Sequence, residues 1–325
     1  MIYIVSKSLN LKKDGFACIM SIVVTKMKFY KYKNIQLTND IDKANCITHS
    51  GQFHVDDVIS TIFLSKVNEK IILIRVPSIS SKKYENKIIY DIGLGEFDHH
   101  QRSRNGQREN GIYYSSIGLL WKKFGKNYLK QLKVKEINKT FEYIDKELVQ
   151  YIDAIDNRQP EYLVNKITPD FVKLCNPEWN ENISENEAFI NALKLGDAFW
   201  NIYIKHAIAE VEAIQIILNQ INNCQECYVV FNQEMPYRKA MKIANNSTVR
   251  YMIFKSRREG YDVRIVVDSY KYKDKLIKVK DIDTARKISG IEELIYVDVY
   301  GQLCCTKTLE SAIKLVEYNE NNTEK

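Results

Sequence analysis

The pattern that most constrains the fold is an alternation of short apolar segments with one helical pattern between residues 44 and 91. Segments with the length and apolar content of buried strands are ANCIT (44–48), IILIRV (71–76) and KIIY (87–90). Apolar residues at helical spacing separate the first two segments: Val55, Val58, Ile59, Ile62 and Phe63. This order of strand, helix, strand and strand is typical of the start of a parallel α/β sheet.

The rest of the chain divides into a helical part and a mixed part. Helical patterns are predicted at residues 115–133, 140–156 and 185–222. After Cys224, strand patterns (YVVFN, VRYMIFK, DVRIVVD and LIYVDVY) alternate with a helix near 282–289 and a last helix from Thr308. We therefore predict an α/β fold with a parallel-sheet catalytic domain at 44–222 and a smaller α+β domain at 223–317. Residues 1–43 are predicted to be an N-terminal extension and residues 318–325 a frayed tail.

Four of the five histidines lie close to the ends of the predicted strands. His49 directly follows the first strand, and Asp91 directly follows the third. Ligands bind at the carboxyl ends of strands in open α/β sheets, so we expect these side chains to meet in one crevice. The residues collected there are His49, His54, Asp56, Asp91, Asp98, His99 and His100.

Such a density of imidazoles and carboxylates predicts a metal site. Mixed nitrogen and oxygen ligands suit Mn²⁺, Zn²⁺, Fe²⁺ or Co²⁺, whereas Mg²⁺ is better served by oxygen alone. Six or more candidate ligands exceed what one tetrahedral zinc needs, which favours two metals that share a carboxylate. Such pairs hydrolyse phosphate esters. Each residue also has a plainer interpretation, since Asp56 and Asp57 could simply favour a helix N-terminus electrostatically.

Charge and cysteine content indicate an intracellular protein that does not cross a membrane. The net charge of +7 is concentrated in residues 1–39, which hold seven lysines and one acid, Asp14, so the rest of the chain is nearly neutral. The seven cysteines are odd in number, and no secretory signal is evident, which favours a reducing compartment. No run of 18 apolar residues is present. We expect a cytoplasmic or nuclear location and leave a mitochondrial one open.

Together these motifs resemble one family of nucleases. The sequences THSGQFHVDD, Asp91, DHHQRS, SSIGLLWKKFG, YIDAIDN, NPEWN and the C-terminal SGI with YVDVYG are similar to the melanocyte-proliferating-gene nucleases, a branch of the DHH phosphoesterase superfamily. The resemblance covers about residues 44–316. It implies a two-lobed fold, two Mn²⁺ ions in the N-terminal lobe, with Mg²⁺, Co²⁺ or Zn²⁺ as alternatives, and a C-terminal lobe that binds substrate. It also implies hydrolysis of single-stranded RNA from the 3′ end.

The resemblance also implies roles for individual residues. His49 and His54 match ligands of the first metal, Asp56 and His99 match ligands of the second, and Asp91 matches the bridging carboxylate. The last ligand comes from YIDAIDN and is either Asp156 or Asp153. His100 is expected to face the substrate phosphate, Asp98 to orient a histidine ring, and Arg102 to contact phosphate or the rim of the site. Ser115 and Ser116 begin a helix whose free N–H groups either bind phosphate or are simply capped.

The chain departs from the family pattern in the predicted substrate lobe. Asp298 occupies the position of a histidine, and Cys304 and Cys305 replace a glycine pair. Tyr113 replaces a lysine, and Arg158 stands where glycine is expected. Arg286 and Lys307 are candidates to replace the lost phosphate contacts. Two alternatives to an RNA exonuclease therefore stay open: a hydrolase of small phosphoesters such as pyrophosphate or dinucleotides, and a metal-binding protein without turnover. The oligomeric state is not predicted.

Overall fold

A computed structural model of the protein describes residues 30–84, 86–102, 104–162, 170–244, 248–266, 276–277, 279 and 281–322. Residues 1–29 of the predicted extension and residues 323–325 of the predicted tail lie outside this part of the chain. The described part contains two five-stranded sheets with helices packed against them. The predicted α/β class is confirmed.

The first sheet contains the three strands predicted between residues 44 and 91. Its strands are β1 (Lys31–Tyr32), β2 (Ile35–Leu37), β3 (Cys46–His49), β4 (Ile71–Val76) and β5 (Ile88–Ile89). Their order is β1-β2-β4-β3-β5, and all neighbours pair in parallel except β1 with β2. β1 and β2 belong to the segment assigned to the extension, so the sheet begins before residue 44 and that assignment is wrong for residues 31–37. Ile35 and Leu37 are buried in the core, which explains the pairing of this short segment.

Helices cover one face of the first sheet. They are α1 (Val55–Val67), α2 (Ser116–Gln131), α3 (Ile137–Ile144), α4 (Gln150–Asp156) and α5 (Glu185–Ile221). A π-helical segment, Asp145–Val149, joins α3 to α4. α1 packs against both α2 and α5, and it is buried from Val55 to Leu64. The ring of Phe63 lies 5.4 Å from that of Trp121 and 5.6 Å from that of Trp200, so one aromatic cluster joins the three helices.

The second sheet has the mixed character predicted after Cys224. Its strands are β6 (Tyr228–Phe231), β7 (Tyr251–Lys255), β8 (Tyr261–Ile265), β9 (Leu294–Val297) and β10 (Leu303–Thr306), in the order β6-β7-β8-β10-β9. β6 and β7 are parallel, and the other neighbours are antiparallel. The helices are α6 (Arg238–Ile243), α7 (Ile282–Ser289) and α8 (Leu309–Asn322). Because α8 continues to Asn322, the predicted frayed tail is wrong for residues 318–322.

The α5 helix runs from the first sheet to the second. Its N-terminal half contributes Phe189, Leu193 and Trp200 to the core beside α1, and its C-terminal half contributes Ile214 and Ile217 to a core beside the second sheet. The domain boundary near residue 223 follows the end of this helix and stays a prediction. None of the described helices is both long and apolar enough to cross a membrane.

Candidate metal centre

The parallel register of the first sheet brings His49 and Asp91 to the same edge. Ile47 of β3 pairs with Ile89 of β5, so His49 and Asp91 each lie two residues beyond a matched pair. Nε2 of His49 is 3.3 Å from Oδ2 of Asp91. The carboxyl ends of neighbouring parallel strands therefore place an imidazole against a carboxylate, as expected for such a sheet.

Asp91 adopts a backbone conformation that ordinary residues avoid. Its φ angle is 58°, in the left-handed region, where a non-glycine residue costs about 1–2 kcal/mol. Its buried carboxylate meets Nε2 of His49 through one oxygen and Nε2 of His99, 3.1 Å away, through the other. Burial alone would raise the pKa of Asp91, but the hydrogen bonds to the two histidines outweigh it and lower that pKa. The strained residue is thus the one that joins both sides of the site.

One group of possible metal ligands consists of His49, Asp57 and Asp91, whose ligand atoms lie within 4.8 Å of one another. Oδ2 of Asp57 is 3.2 Å from Nε2 of His49, and its Oδ1 accepts a hydrogen bond from the backbone N–H of His54. Burial lowers the pKa of His49, but its hydrogen bonds to the two carboxylates raise it to about 11. From the sequence, Asp57 was predicted only as a helix-terminal charge and not as one of the possible ligands. The adjacent pair Asp56-Asp57 was the available signal.

A second group consists of Asp56, Asp91, His99 and Asp156, again with ligand atoms within 4.8 Å of one another. Nε2 of His99 is 2.9 Å from Oδ2 of Asp156, which lies at the end of α4. Nδ1 of His99 is 3.3 Å from Oδ1 of Asn157, which fixes the orientation of the ring. Burial lowers the pKa of His99, and the hydrogen bonds to Asp156 and Asp91 raise it to about 11. Asp91 belongs to both groups.

The N-terminus of α2 binds the carboxylate of Asp56. Oδ1 of Asp56 accepts hydrogen bonds from the Ser115 hydroxyl and the Ile117 N–H, both at 2.7 Å, and Oδ2 accepts one from the Ser116 N–H at 3.0 Å. Burial, followed by the charges of Asp91 and Asp156, raises the pKa of Asp56 well above its ordinary value. Ser115 and Ser116 are completely buried. The expectation that they contact substrate is therefore corrected: a protein carboxylate occupies the helix N-terminus.

Asp153 lies outside the three groups of possible ligands that the described residues form. Its Oδ1 accepts hydrogen bonds from the N–H groups of Ser115, at 2.9 Å, and Gly118, at 3.2 Å. Its Oδ2 is 2.5 Å from Nη1 of Arg108, which also pairs with Asp145 at 2.7 Å. Of the two alternatives left open in YIDAIDN, Asp156 lies beside His99 and Asp153 supports the N-terminus of α2.

His100 lies at the open side of the same centre. Asp91, His99 and His100 form the third group of possible ligands. Nδ1 of His100 is 2.7 Å from Oδ1 of Asp98, whose Oδ2 accepts the Leu94 N–H at 2.6 Å. The hydrogen bond to Asp98 raises the pKa of His100, and the ring is 59% exposed. Asp98 thus orients a histidine, which is the contact predicted for it.

The expected ligand His54 lies near the centre but outside the three groups found in the described residues. It is the N-cap residue of α1, and its exposed ring is centred 5.9 Å from that of His49. The backbone of His54 is held by Asp57. The side chain lines the same cavity as His49.

The site opens into a cavity of about 900 Å³. Candidate ligands in its wall are His49, His54, Asp91, His99, His100 and Asp156. Its basic residues include Arg102, which was predicted, and Arg104 and Arg158, which were not predicted as site residues. Ser103, which follows Arg102, lies outside the described residues. The cavity therefore combines carboxylates and imidazoles with guanidinium groups, a composition suited to metal ions and an anionic ligand.

The predicted substrate residues of the second sheet do not line this cavity. Arg286 donates from Nε to the carbonyl oxygen of Leu294 at 3.0 Å, and Lys307 donates its backbone N–H to Glu293. Substrate contact by either residue stays a prediction. Oδ1 of Asp298 accepts backbone hydrogen bonds from residues 302 and 303, and therefore stabilises the β9–β10 turn.

The cysteine pair is also part of the second sheet. Cys304 is buried in the core, and Sγ of Cys305 is 3.0 Å from Oδ1 of Asp262. Burial raises the pKa of the Cys305 thiol to about 12. Both cysteines belong to β10, so the departures from the glycine pattern have structural roles in this sheet.

The fold and the site define a class: an α/β protein with metal-competent carboxylates and imidazoles at the carboxyl edge of a parallel sheet. The family model MYG1_exonuc, described as "Uncharacterised protein family (UPF0160)", matches residues 45–319. The chain therefore belongs to this family, and the resemblance carried by its motifs is confirmed at this level.

Relatives from several organisms share this family name. The chain is 27% identical over 179 residues to MYG1 protein YER156C of Saccharomyces cerevisiae, an alignment that covers 47% of the chain and 53% of the relative. It is 22% identical over 312 residues to MYG1 protein C694.04c of Schizosaccharomyces pombe, covering 82% and 94%. A Bos taurus relative named MYG1 exonuclease is 28% identical over 171 residues, covering 43% and 44%. No solved structure matches the chain significantly.

Proposed function

We propose that the protein is a two-metal-dependent phosphodiesterase that degrades nucleic acid as an exonuclease, with single-stranded RNA cleaved from its 3′ end. The observation that carries the proposal is that Asp91 belongs both to the group with His49 and Asp57 and to the group with Asp56, His99 and Asp156. The name of the bovine relative, MYG1 exonuclease, supports the nuclease activity. A DHH phosphoesterase-like arrangement of two lobes and an intracellular location belong to the same proposal.

The donor set of the site fits two divalent cations. Asp56, Asp57, Asp91 and Asp156 direct four carboxylates to one place, and three of them are almost completely buried. Neighbouring cationic groups include the guanidinium of Arg75 and the imidazoles of His49, His99 and His100, and imidazoles are also metal ligands by type. Buried like charges of this density are costly unless a cation compensates them. Carboxylates mixed with imidazoles suit Mn²⁺, which we assign as the metal.

The first ion would be held by His49, Asp57 and Asp91, with His54 adjacent. The second would be held by Asp56, His99 and Asp156 together with Asp91. Hydrogen bonds from α2 to Asp56, and from His54 to Asp57, would keep these carboxylates in place. When bound, the ions would supply Lewis-acid stabilisation of charge on a phosphoryl group.

The protein's own groups would bind and orient the phosphodiester. Asp98 holds Nδ1 of His100, so the other ring nitrogen is available to donate a hydrogen bond toward the cavity. The raised pKa of His100 favours the imidazolium, whose charge would stabilise a phosphoryl oxygen as negative charge builds on it. Arg102 lines the same cavity and would add a second positive group at its rim.

Hydrolysis of a small phosphoester is the alternative that a specific observation favours. The described lining of the cavity comes from residues 49–158, with no contribution from the second sheet. A substrate of one or two nucleotides could be held by such a cavity alone. A substrate panel of pyrophosphate, dinucleotides and single-stranded RNA oligonucleotides would distinguish the two functions.

The proposal predicts that Asp91→Asn abolishes Mn²⁺-dependent cleavage of RNA. The substitution keeps the shape of the side chain but removes the charge shared by both ions, so we expect a loss of at least about 10³-fold in kcat. Glu96→Gln is the control, because Glu96 is an exposed carboxylate paired with Lys123 outside the cavity. Cleavage by Asp91→Asn at the wild-type rate, or wild-type cleavage in excess chelator, would contradict the proposal.

The direction of cleavage requires a separate test. RNA labelled at its 5′ end should yield a ladder that shortens progressively, whereas RNA labelled at its 3′ end should release a labelled mononucleotide first. A 3′-phosphate block would slow both reactions. Release of mononucleotides from the 5′ end would refute the proposed polarity while leaving the metal chemistry intact.

A further inference from the structure

Arg158 occupies a backbone position that favours glycine. It follows Asn157, the residue that ends α4. Its N–H donates to the carbonyl oxygen of Ile155 at 3.1 Å, and the N–H of Gln159 donates to that of Ala154 at 2.9 Å. This pair of hydrogen bonds is the Schellman motif, whose left-handed residue is usually glycine. The φ angle of Arg158 is 54°, so the arginine is held in a strained conformation.

Arg158 is exposed and forms part of the wall of the cavity beside the candidate metal centre. Within the described part of the chain its guanidinium has neither a hydrogen-bond partner nor an ion-pair partner. Among the described residues, the side chain therefore makes no hydrogen bond or ion pair that would offset the backbone strain. Strain of this kind is retained mainly where the residue has a task.

Neighbouring contacts tie Arg158 to the site through Asn157. Oδ1 of Asn157 contacts Nδ1 of His99 and accepts a hydrogen bond from Nη1 of Arg104. The guanidinium of Arg104 also lies over the ring of Tyr113, 4.7 Å from its centroid. Arg104 is thus anchored by protein groups, whereas Arg158, one residue beyond Asn157, presents a charge without such an anchor. Both arginines line the same cavity as His99 and Asp156.

The size of the cavity leaves room for more than the reacting phosphate. A volume of about 900 Å³ is near the upper end for a small-molecule site. His100 and Arg102 line the same cavity beside the candidate metal ligands. The guanidinium of Arg158, which lies just beyond the end of α4, adds a further positive charge to the cavity. This set of positive charges matches the repeating negative charge of a polynucleotide better than it matches a single phosphoester.

We propose that Arg158 is a substrate-positioning residue that binds a non-scissile phosphate of a single-stranded nucleic acid. Through this contact it favours oligonucleotides over small phosphoesters. The inference rests on the proposed function, because it names a second phosphate of the same substrate. RNA and DNA share this chemistry, and oligonucleotides of both kinds are included in the test.

Arg158→Gly tests the inference, and Lys133→Gly is its matched control. Lys133 is also a basic, exposed residue in the left-handed position of a Schellman motif, at the end of α2, with a φ angle of 57°. It does not line the cavity. Both substitutions relieve the same backbone strain and remove one positive charge. Each should raise Tm by roughly 1–3 °C, so stability is matched while only one variant loses a charge at the site.

Binding should separate the two variants. Affinities for two nuclease-resistant phosphorothioate oligonucleotides, one of RNA and one of DNA, would be measured by fluorescence anisotropy with Mn²⁺ present, at several salt concentrations. Arg158→Gly should raise Kd by about tenfold and reduce the slope of log Kd against log salt by roughly 0.7, the value for one lost phosphate contact on a single strand. Lys133→Gly should leave both quantities at their wild-type values. A wild-type Kd and slope in Arg158→Gly would overturn the inference.

Two further variants separate charge from backbone effects. Arg158→Asn tolerates the left-handed conformation but lacks the charge, and should bind as weakly as Arg158→Gly. Arg158→Lys keeps the charge and should retain most of the affinity. Equal affinities for Arg158→Asn and Arg158→Lys would also overturn the inference. If the wild-type protein cleaves RNA but Arg158→Gly binds oligonucleotides normally, the role of Arg158 is refuted and the proposed function stands. If the wild-type protein cleaves no phosphodiester, the proposed function itself is refuted.

Discussion

Replacing Gly118 by alanine should lower the stability of the protein, because the added methyl group would displace Asp153 from the N-terminus of α2. Gly118 lies in the first turn of α2, where its N–H donates to Oδ1 of Asp153. An added Cβ would lie 2.6 Å from that oxygen and 2.8 Å from Cγ of Asp153, and it would also clash with Oδ2. These distances are shorter than any tolerable contact, so Asp153 would have to move.

The expected loss of stability follows from the contacts of Asp153. The carboxylate is completely buried and paired with Arg108, and breaking a buried pair costs about 3–5 kcal/mol. Replacing glycine by alanine inside a helix by itself stabilises the folded protein by about 1 kcal/mol. Partial relaxation of the structure around Asp153 reduces the cost further, so we expect the free energy of unfolding to fall by about 2–3 kcal/mol. For a chain of this size we expect Tm to fall by roughly 4–12 °C.

Gly196→Ala provides the comparison, since Gly196 lies within α5. There an added Cβ would approach Cδ1 of Ile62 at 2.7 Å, and this flexible chain end can move aside. Its expected change in the free energy of unfolding is within about 1 kcal/mol. Both variants would be measured by thermal and urea denaturation. A Gly118→Ala protein as stable as Gly196→Ala would refute the role assigned to Asp153.

Two further predictions concern the edge of the first sheet and the open side of the site. The buried carboxylate of Asp197 binds Lys66 at 2.5 Å, Tyr32 at 2.9 Å and Lys33. Burial raises the pKa of Asp197, but these hydrogen bonds lower it overall. Asp197→Asn should therefore cost about 1–2 kcal/mol at pH 7. This deficit should shrink as the pH falls below about 4, because Asp197 then takes up a proton in the unfolded wild-type chain before it does so in the folded protein. A deficit that is constant from pH 7 to pH 3 in denaturation experiments would contradict this. His100→Gln should lower kcat by about 10²–10³-fold with little change in Tm, because the ring is largely exposed; wild-type kcat would exclude the assigned role.

The elements with long or regular apolar patterns were predictable from the sequence. The strands at 46–49 and 71–76 and the long helix at 185–221 stand where their patterns predicted them. β1 and β2 were missed because segments of two and three residues are too short to show a period. Their position is set by pairing with β4 and by the burial of Ile35 and Leu37, which are properties of the tertiary fold.

The general location of the site was predictable, whereas its finer geometry was not. Histidines and aspartates at the ends of parallel strands had to meet at one edge of the sheet. Which oxygen faces which histidine depends on the helices that follow. Asp56 and Asp57 are adjacent in sequence, but one accepts hydrogen bonds from α2 and the other contacts His49. Asp153 and Asp156 lie one helical turn apart and face Arg108 and His99, respectively.

The roles of the unusual residues in the second sheet were not predictable from the family pattern. That pattern showed only that Asp298, Cys304 and Cys305 depart from the residues expected in the predicted substrate lobe. In the structure Cys304 fills the core, and Asp298 stabilises the preceding turn. Alternation along a four-residue strand, with residues 304 and 306 buried, would have been the signal for this strand.

Anomalous diffraction from crystals grown with Mn²⁺ would test the claim that two metal ions share Asp91. We expect two manganese peaks about 3.5–4 Å apart, one beside His49 and Asp57 and the other beside His99 and Asp156, with the Asp91 carboxylate between them. Crystals of Asp91→Asn should lose at least one peak. A single peak in the wild-type protein, or two peaks that do not both contact Asp91, would contradict the claim.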